Sequence, residues 1–197
     1  MSDLVPLHSP VLHRPASPIA DDEFGSTPLA VAIDQLNESF DVFFKVYKGV
    51  GLAAPQIGIP WRLAVAEDYG LRSTSPRWQR DLVRNPFSRI TMCNPTIAWA
   101  SDEQVCAWET CLSEADVVGL VERPREIRVE YRSAHGDAQS LVAQDWAARI
   151  LSHEVDHLFG CLCSQRYLPG SSMAADQYTR DWKDRPLSDA LRAFRVG

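Results

Sequence analysis

The stretch AARILSHEVDHLFGCLC, residues 147–163, decides the fold. It carries two histidines four positions apart, His153 and His157, with Glu154 beside the first. Four positions is about one helical turn, so both imidazoles project from one helix face. Trp146, Ile150, Val155 and Leu158 give the same segment an apolar surface, which predicts a central, largely buried helix over DWAARILSHEVDHLFG. Asp145 is placed to cap its start, and Gly160 to end it. Burying two imidazoles and a carboxylate is costly unless something satisfies them, and a metal ion does so at once. The string matches the H-E-x-x-H pattern, in which the histidines bind a metal and the glutamate works on the water it activates. Two histidines leave such a catalytic site one protein ligand short.

The rest of the chain offers two kinds of third ligand. A thermolysin-like site would take a glutamate downstream, but no glutamate follows Glu154. The metzincin pattern H-E-x-x-H-x-x-G-x-x-H runs on through Gly160, with Cys163 where its third histidine belongs and Met173 beyond. Thiolate is a good zinc ligand, so Cys163 is a candidate. Upstream, WETCLSE supplies a second candidate in Cys111, between Glu109 and Ser113.

Bulk properties bound the function. A chain of 197 residues, 45% apolar and 23% charged, suits one globular domain with a sizeable core, here taken as 1–197. A net charge of −6 argues against a broad phosphate-binding surface, so no direct nucleic-acid specificity is expected. The N-terminus lacks an apolar run of signal-peptide length and no stretch is long enough to span a bilayer, so a cytoplasmic protein without membrane contact is expected. The five cysteines form an odd set with no secretory context, which argues against a disulfide framework.

Along the chain, the first 25 residues read as extended and Pro-punctuated. A helix is expected from Ser26, capped by Ser26 or Thr27 with Pro28 in its first turn. Leu29, Ile33, Leu36, Phe40, Phe43, Phe44 and Tyr47 recur at near-helical spacing, the mark of a core-facing stripe. RLAVAE then reads as a strand, and residues 69–90 as a surface loop or insertion. Further strands are expected in TMCNPTIAWA, DVVGLVERP, EIRVEYRS and SLVAQ, the last two joined by a hairpin turn in SAHGDAQ. PLSDALRAF closes the chain as a short amphipathic stretch. This order predicts an α+β domain, with antiparallel strands packed around the helix that carries HEVDH.

Three ordered motifs give the chain a family resemblance. GVGLAAPQ (49–56), ETCLS (109–113) and HEVDH (153–157) resemble the G-Φ-G-Φ-A-A-x-Q, E-G-C-Φ-S and H-E-Φ-D-H segments of the peptide deformylases. The likeness extends to LHSPVLHRPASPI near the start, NPTI at 94–97 and VERPREIRVEY at 121–131. The resemblance implies Cys111, His153 and His157 as metal ligands and Glu154 as general base and acid. It implies the Gln56 side chain and the Leu112 backbone N–H as oxyanion donors, and Gly49, Val50 and Gly51 as a wall for the methionine side chain. Glu109 and Arg123 would pair to hold the cysteine loop. Ferrous iron is the implied cofactor, although a thiolate with two imidazoles also accepts zinc, nickel or cobalt. A formylated nascent peptide is the implied substrate, with transient ribosome contact.

Five positions depart from the pattern. Thr110 stands where the motif has glycine, bringing bulk to the expected substrate path. Glu114-Ala115 replaces an apolar-proline pair, Ser152 a glutamine and Asp145 a frequent glycine. These departures define an alternative expectation, a specialised deformylase for a formylated small molecule or a restricted set of peptides. A metzincin-like peptidase and an inactive binding homologue complete the set.

Overall fold

The computed structural model describes residues 4–47, 49–69 and 83–194. Its first helix starts as its sequence dictates. Ser26 Oγ accepts the Leu29 N–H at 3.3 Å, and α1 (Thr27–Tyr47) runs from there. Leu29, Leu36 and Phe40 are fully buried against Leu52 of β1 (Gly51–Ala53) and against Leu63 and Val65 of β2 (Leu63–Asp68). The expected core stripe stops one residue short of its end, because Tyr47 is 62% exposed. The expected extended N-terminus contains two 3-10 turns, Pro10–Leu12 and Asp21–Glu23.

Two antiparallel sheets follow. β1 and β2 join β3 (Phe87–Ala100), β6 (Glu126–Arg132) and β7 (Ala138–Gln144) in the order β1-β2-β3-β6-β7. β4 (Gln104–Glu109), β5 (Val117–Pro124) and β8 (Met173–Ala174) form the second sheet. β3 begins at Phe87, inside the range read from sequence as an insertion, because its first residues complete the pairing with β2. Most of the rest of that expected insertion, 70–82, lies outside the described residues. The SAHGDAQ turn is as expected: Ser133 N–H donates to Asp137 O at 2.8 Å, and Gly136 takes the positive φ of 90°. In β3, Asn94 adopts φ 51° at a register shift, and its carboxamide both accepts from Ile19 N and donates to Ile19 O at 2.8 Å. That clasp pins the N-terminal segment across the sheet.

The histidine helix α2 (Asp145–Leu158) lies against the larger sheet. Ala148, Ile150, Leu151 and Leu158 pack with Met92, Ile127 and Val129. Each buried Leu or Ile here contributes roughly 1.5–3 kcal/mol. The expected Asp145 cap is not formed. Gln144 is the N-cap without a side-chain bond, and Asp145 instead takes φ 50° and accepts from Arg125 Nη1 at 2.6 Å. Positive φ explains why a glycine is at home at this position. Beyond α2, α3 (Ala175–Asp181) and α4 (Leu187–Phe194) pack on Trp108 of β4. The architecture is the α+β arrangement of antiparallel strands around a central helix expected from the sequence. Among the described residues no helix is long and apolar enough to cross a membrane.

Candidate metal centre

The turn after β4 and one face of α2 bring three ligand atoms together. Cys111 Sγ lies 3.2 Å from His157 Nε2, which lies 3.2 Å from His153 Nε2. All three ligand atoms fall within 4.8 Å of one another. His157 Nε2 faces a sulfur and a second imidazole nitrogen at once, and one shared proton cannot serve all three atoms. A divalent ion would meet each of their lone pairs, so the donor set fits a metal. Burial, then the charge on His153, holds His157 well below the usual imidazole range, which keeps it the neutral ligand a metal needs.

Cys163 lies elsewhere. Its thiol donates to Glu109 Oε2 at 3.6 Å, and that oxygen lies 3.1 Å from His153 Nδ1. Glu109, His153 and Cys163 also bring ligand atoms within 4.8 Å of one another. That trio is a poor cation site, because Glu109 already receives two guanidiniums. Arg123 donates to both its oxygens at 2.8 and 3.0 Å, and Arg149 Nη1 donates to Oε1. Burial pushes the Glu109 carboxyl up, but Arg123, His153 and Arg149 outweigh it and hold it well below the usual carboxylate range. Arg123 also bonds Asp156 at 2.8 Å, so the network ties β4, β5 and α2 together.

The Glu109–Arg123 pair is the one expected from sequence, whereas Arg149 is an addition. It sits four residues before His153, on the same helix face, and that spacing is the signal that could have found it. Replacing Glu109 by glutamine leaves two buried guanidiniums short of a counter-charge and is expected to lower stability by about 3–5 kcal/mol. Chemical unfolding of the metal-free protein reads this directly, and a change below about 1 kcal/mol would contradict the network's role.

Glu154 is buried beside the trio, and its Oε2 has no hydrogen-bond partner among the described residues. Burial raises its carboxyl to about 7, against the opposing charges of His153 and Arg123. Such a group can both accept and return a proton near neutrality. Gly51 makes room for it, since a Cβ at Gly51 would lie 2.1 Å from Glu154 Oε1. Gly51→Ala is therefore expected to displace Glu154 and lower turnover about 10²-fold, with thermal stability little changed. Steady-state kinetics checks this, and near-normal turnover would show that the carboxylate tolerates a new position.

Gln56 is fixed by its neighbours. Its Oε1 accepts the Ala53 N–H at 2.8 Å, so Nε2 points toward Cys111 Sγ at 3.5 Å and Ser113 Oγ at 3.1 Å. Leu112 opens the 3-10 turn that follows Cys111, and its Cδ1 would lie 3.4 Å from a Cβ on Gly49. In front lies a cavity of about 510 Å³. Gly49, Val50, Gly51, Thr110, Trp146 and Ile150 contribute to its lining. Tyr47, expected in the core, stands at it instead. Thr110 does not aim its hydroxyl inward: Oγ1 donates to Val117 O at 2.9 Å, fastening the cysteine loop to β5.

A thiol and two imidazoles, a buried carboxylate beside them and an open cavity in front fit the site of a metal-dependent hydrolase. Known proteins narrow this class. Residues 1–172 match the family described as polypeptide deformylase, and the chain belongs to that family. Peptide deformylase of Bartonella tribocorum is 35% identical over 162 residues, covering 82% of this chain and 82% of its own length. The chloroplastic peptide deformylase 1A of Solanum lycopersicum is 35% identical over 171 residues, 86% of this chain, and the chain spans 60% of that relative's length. The Met-Ala-Ser-bound class I type b peptide deformylase of Acinetobacter baumannii has a similar structure, with a TM-score of 0.67 at 29% identity. The match covers 83% of this chain and 97% of that one.

Proposed function

We propose that this chain removes the N-formyl group from N-formylmethionine at the start of nascent polypeptides, releasing formate. The observation that carries the reading is the convergence of Cys111 with His153 and His157 beside the buried Glu154, in a chain of this family. Cys111, His153 and His157 would hold the ion, with Fe2+ as the native metal and Zn2+, Ni2+ or Co2+ as substitutes the donors accept. When bound, the ion supplies Lewis acidity toward water and the formyl oxygen.

The chain's own residues do the remaining work. Glu154 takes a proton from the attacking water and returns it to the amine as the C–N bond breaks. The Gln56 Nε2–H and the Leu112 N–H donate to the oxyanion that develops on the formyl oxygen. Gln56 is held ready by its bond from Ala53, so little reorganisation is needed at the moment of reaction. Val50, Trp146 and Ile150 give methionine's side chain an apolar wall, and Gly49 and Gly51 let the substrate backbone approach closely. Thr110 borders the same path. The whole of 1–197 forms one catalytic domain in this reading, acting in the cytoplasm with transient contact to the ribosome.

The test is formate release from a formyl-Met-Ala peptide, with iron or cobalt supplied under reducing, anaerobic conditions. Turnover there supports the reading. Turnover of another formamide alone would replace it with the specialised deformylase that the departures at Thr110 and Glu114-Ala115 suggest.

A further inference from the structure

The family match ends at residue 172, but the cavity does not. Tyr178 and Lys183 line it, both from the C-terminal segment beyond that match. The segment is held there by identifiable contacts. Met173 and Ala174 pair with Val118 and Val117, and Ala175 N–H donates to Asp116 O at 2.9 Å. Trp108, immediately before Glu109, packs its ring against Tyr178 at 5.1 Å, Trp182 at 6.0 Å and Phe194 at 5.9 Å. The Thr110 bond to Val117 O fastens the cysteine loop to the same strand that receives β8. The C-terminal helices are thus fixed to the wall of the candidate active site.

Lys183 lies where α3 ends. Its N–H donates to Tyr178 O at 2.9 Å, which sets the side-chain stem at the cavity. The other charges of the lining are committed, with Arg149 on Glu109 and Glu154 buried beside the metal ligands. Lys183 is exposed, and no carboxylate of the described residues forms an ion pair with it. Among the described residues of the lining, Lys183 is therefore an uncommitted cation that a substrate chain could meet.

We propose that Lys183 is a specificity residue that favours formylated peptides carrying a carboxylate shortly after the first residue. The inference rests on the deformylase reading and adds the substrate class. The carboxylate can come from an acidic side chain or from the free C-terminus of a short peptide, and the test separates the two. Formate release by the metal-loaded full chain is compared for formyl-Met-Ala-Ser-amide, formyl-Met-Ala-Glu-amide and formyl-Met-Ala-Ser with a free C-terminus. Binding of the three unformylated product peptides is titrated alongside.

An exposed ion pair predicts a preference of about five-fold for the carboxylate peptides at low ionic strength, carried in KM and in product affinity. The preference should largely vanish at about 0.5 M salt. A gain for the Glu peptide alone assigns the side chain, and a gain for the free acid alone assigns the terminus. Lys183→Glu should invert the preference and Lys183→Arg keep it. Arg128→Glu, the same charge change on the exposed face of β6, should leave the ratio as it was. No preference in the wild type, or one that Lys183→Glu does not alter, overturns the proposal. An altered ratio in Arg128→Glu also overturns it, by tracing the effect to net charge. Failure of the deformylase reading looks different: none of the formylated peptides releases formate, while product binding still reports on Lys183.

Discussion

Replacing Glu154 by glutamine is expected to lower formate release about 10³-fold, within the range that removal of a general acid-base group produces. The substitution keeps the side chain's shape, so the close fit against Gly51 survives and the fold should not change. What is lost is the ability to take a proton from water and deliver it to the leaving amine. Among the described residues the other carboxylate beside the metal ligands, Glu109, is already bound by Arg123 and Arg149 and cannot replace it. The measurement is kcat for a formyl-Met peptide together with metal content per chain. Metal content should stay unchanged, which separates a lost proton carrier from a lost metal. Turnover within about ten-fold of the wild type would reassign the acid-base role.

The two candidate sulfurs give the second large effect. Cys111→Ser should abolish tight metal binding and with it turnover, since a hydroxyl is a poor substitute for a thiolate ligand. Cys163→Ser should leave metal content near one ion per chain, because its thiol faces Glu109 rather than the two imidazole Nε2 atoms. Metal analysis after dialysis, with cobalt-thiolate absorption as a second reading, checks both. The reverse pattern would restore the metzincin-like arrangement that the sequence alone leaves open. Cys163→Ser should carry only a small stability cost, since the hydroxyl can also donate to Glu109 although its oxygen is smaller than sulfur and on a shorter bond.

The sequence made some features plain for physical reasons. Histidines one turn apart on an apolar segment could hardly be anything but one face of a buried helix, and α2 is that helix. Ser26 followed by Pro28 marked the start of α1, and the Ser26 bond to Leu29 confirms the mechanism. Cys111 joined the histidines through the order of three motifs, since a separation of 42 positions from His153 carries no spacing rule.

Other features were hidden. β4 escaped notice because its last four residues are all buried, which removes the alternation that announces a strand. Arg149 reads as a solvated charge until Glu109, 40 residues away, is seen beneath it. Tyr47 continued a helical stripe, but its helix outruns the sheet and leaves the ring at the cavity. Asp145 has the chemistry of a cap, and Arg125 claims its carboxylate from the bend between β5 and β6. In each case the deciding partner comes from a distant part of the chain, which local pattern cannot supply.

The Glu109 network also separates two events that are one in many small metalloproteins. Arg123, Arg149 and His153 reach this carboxylate from β5 and α2, through bonds between protein atoms alone. In a zinc finger, binding the ion is folding, and a chelator unfolds the chain. Here the scaffold around the ligands stands on its own buried charges, so an arriving ion meets donors already gathered. On the proposed reading, loss of the metal would silence the enzyme without dismantling it, and the same molecule could be charged again.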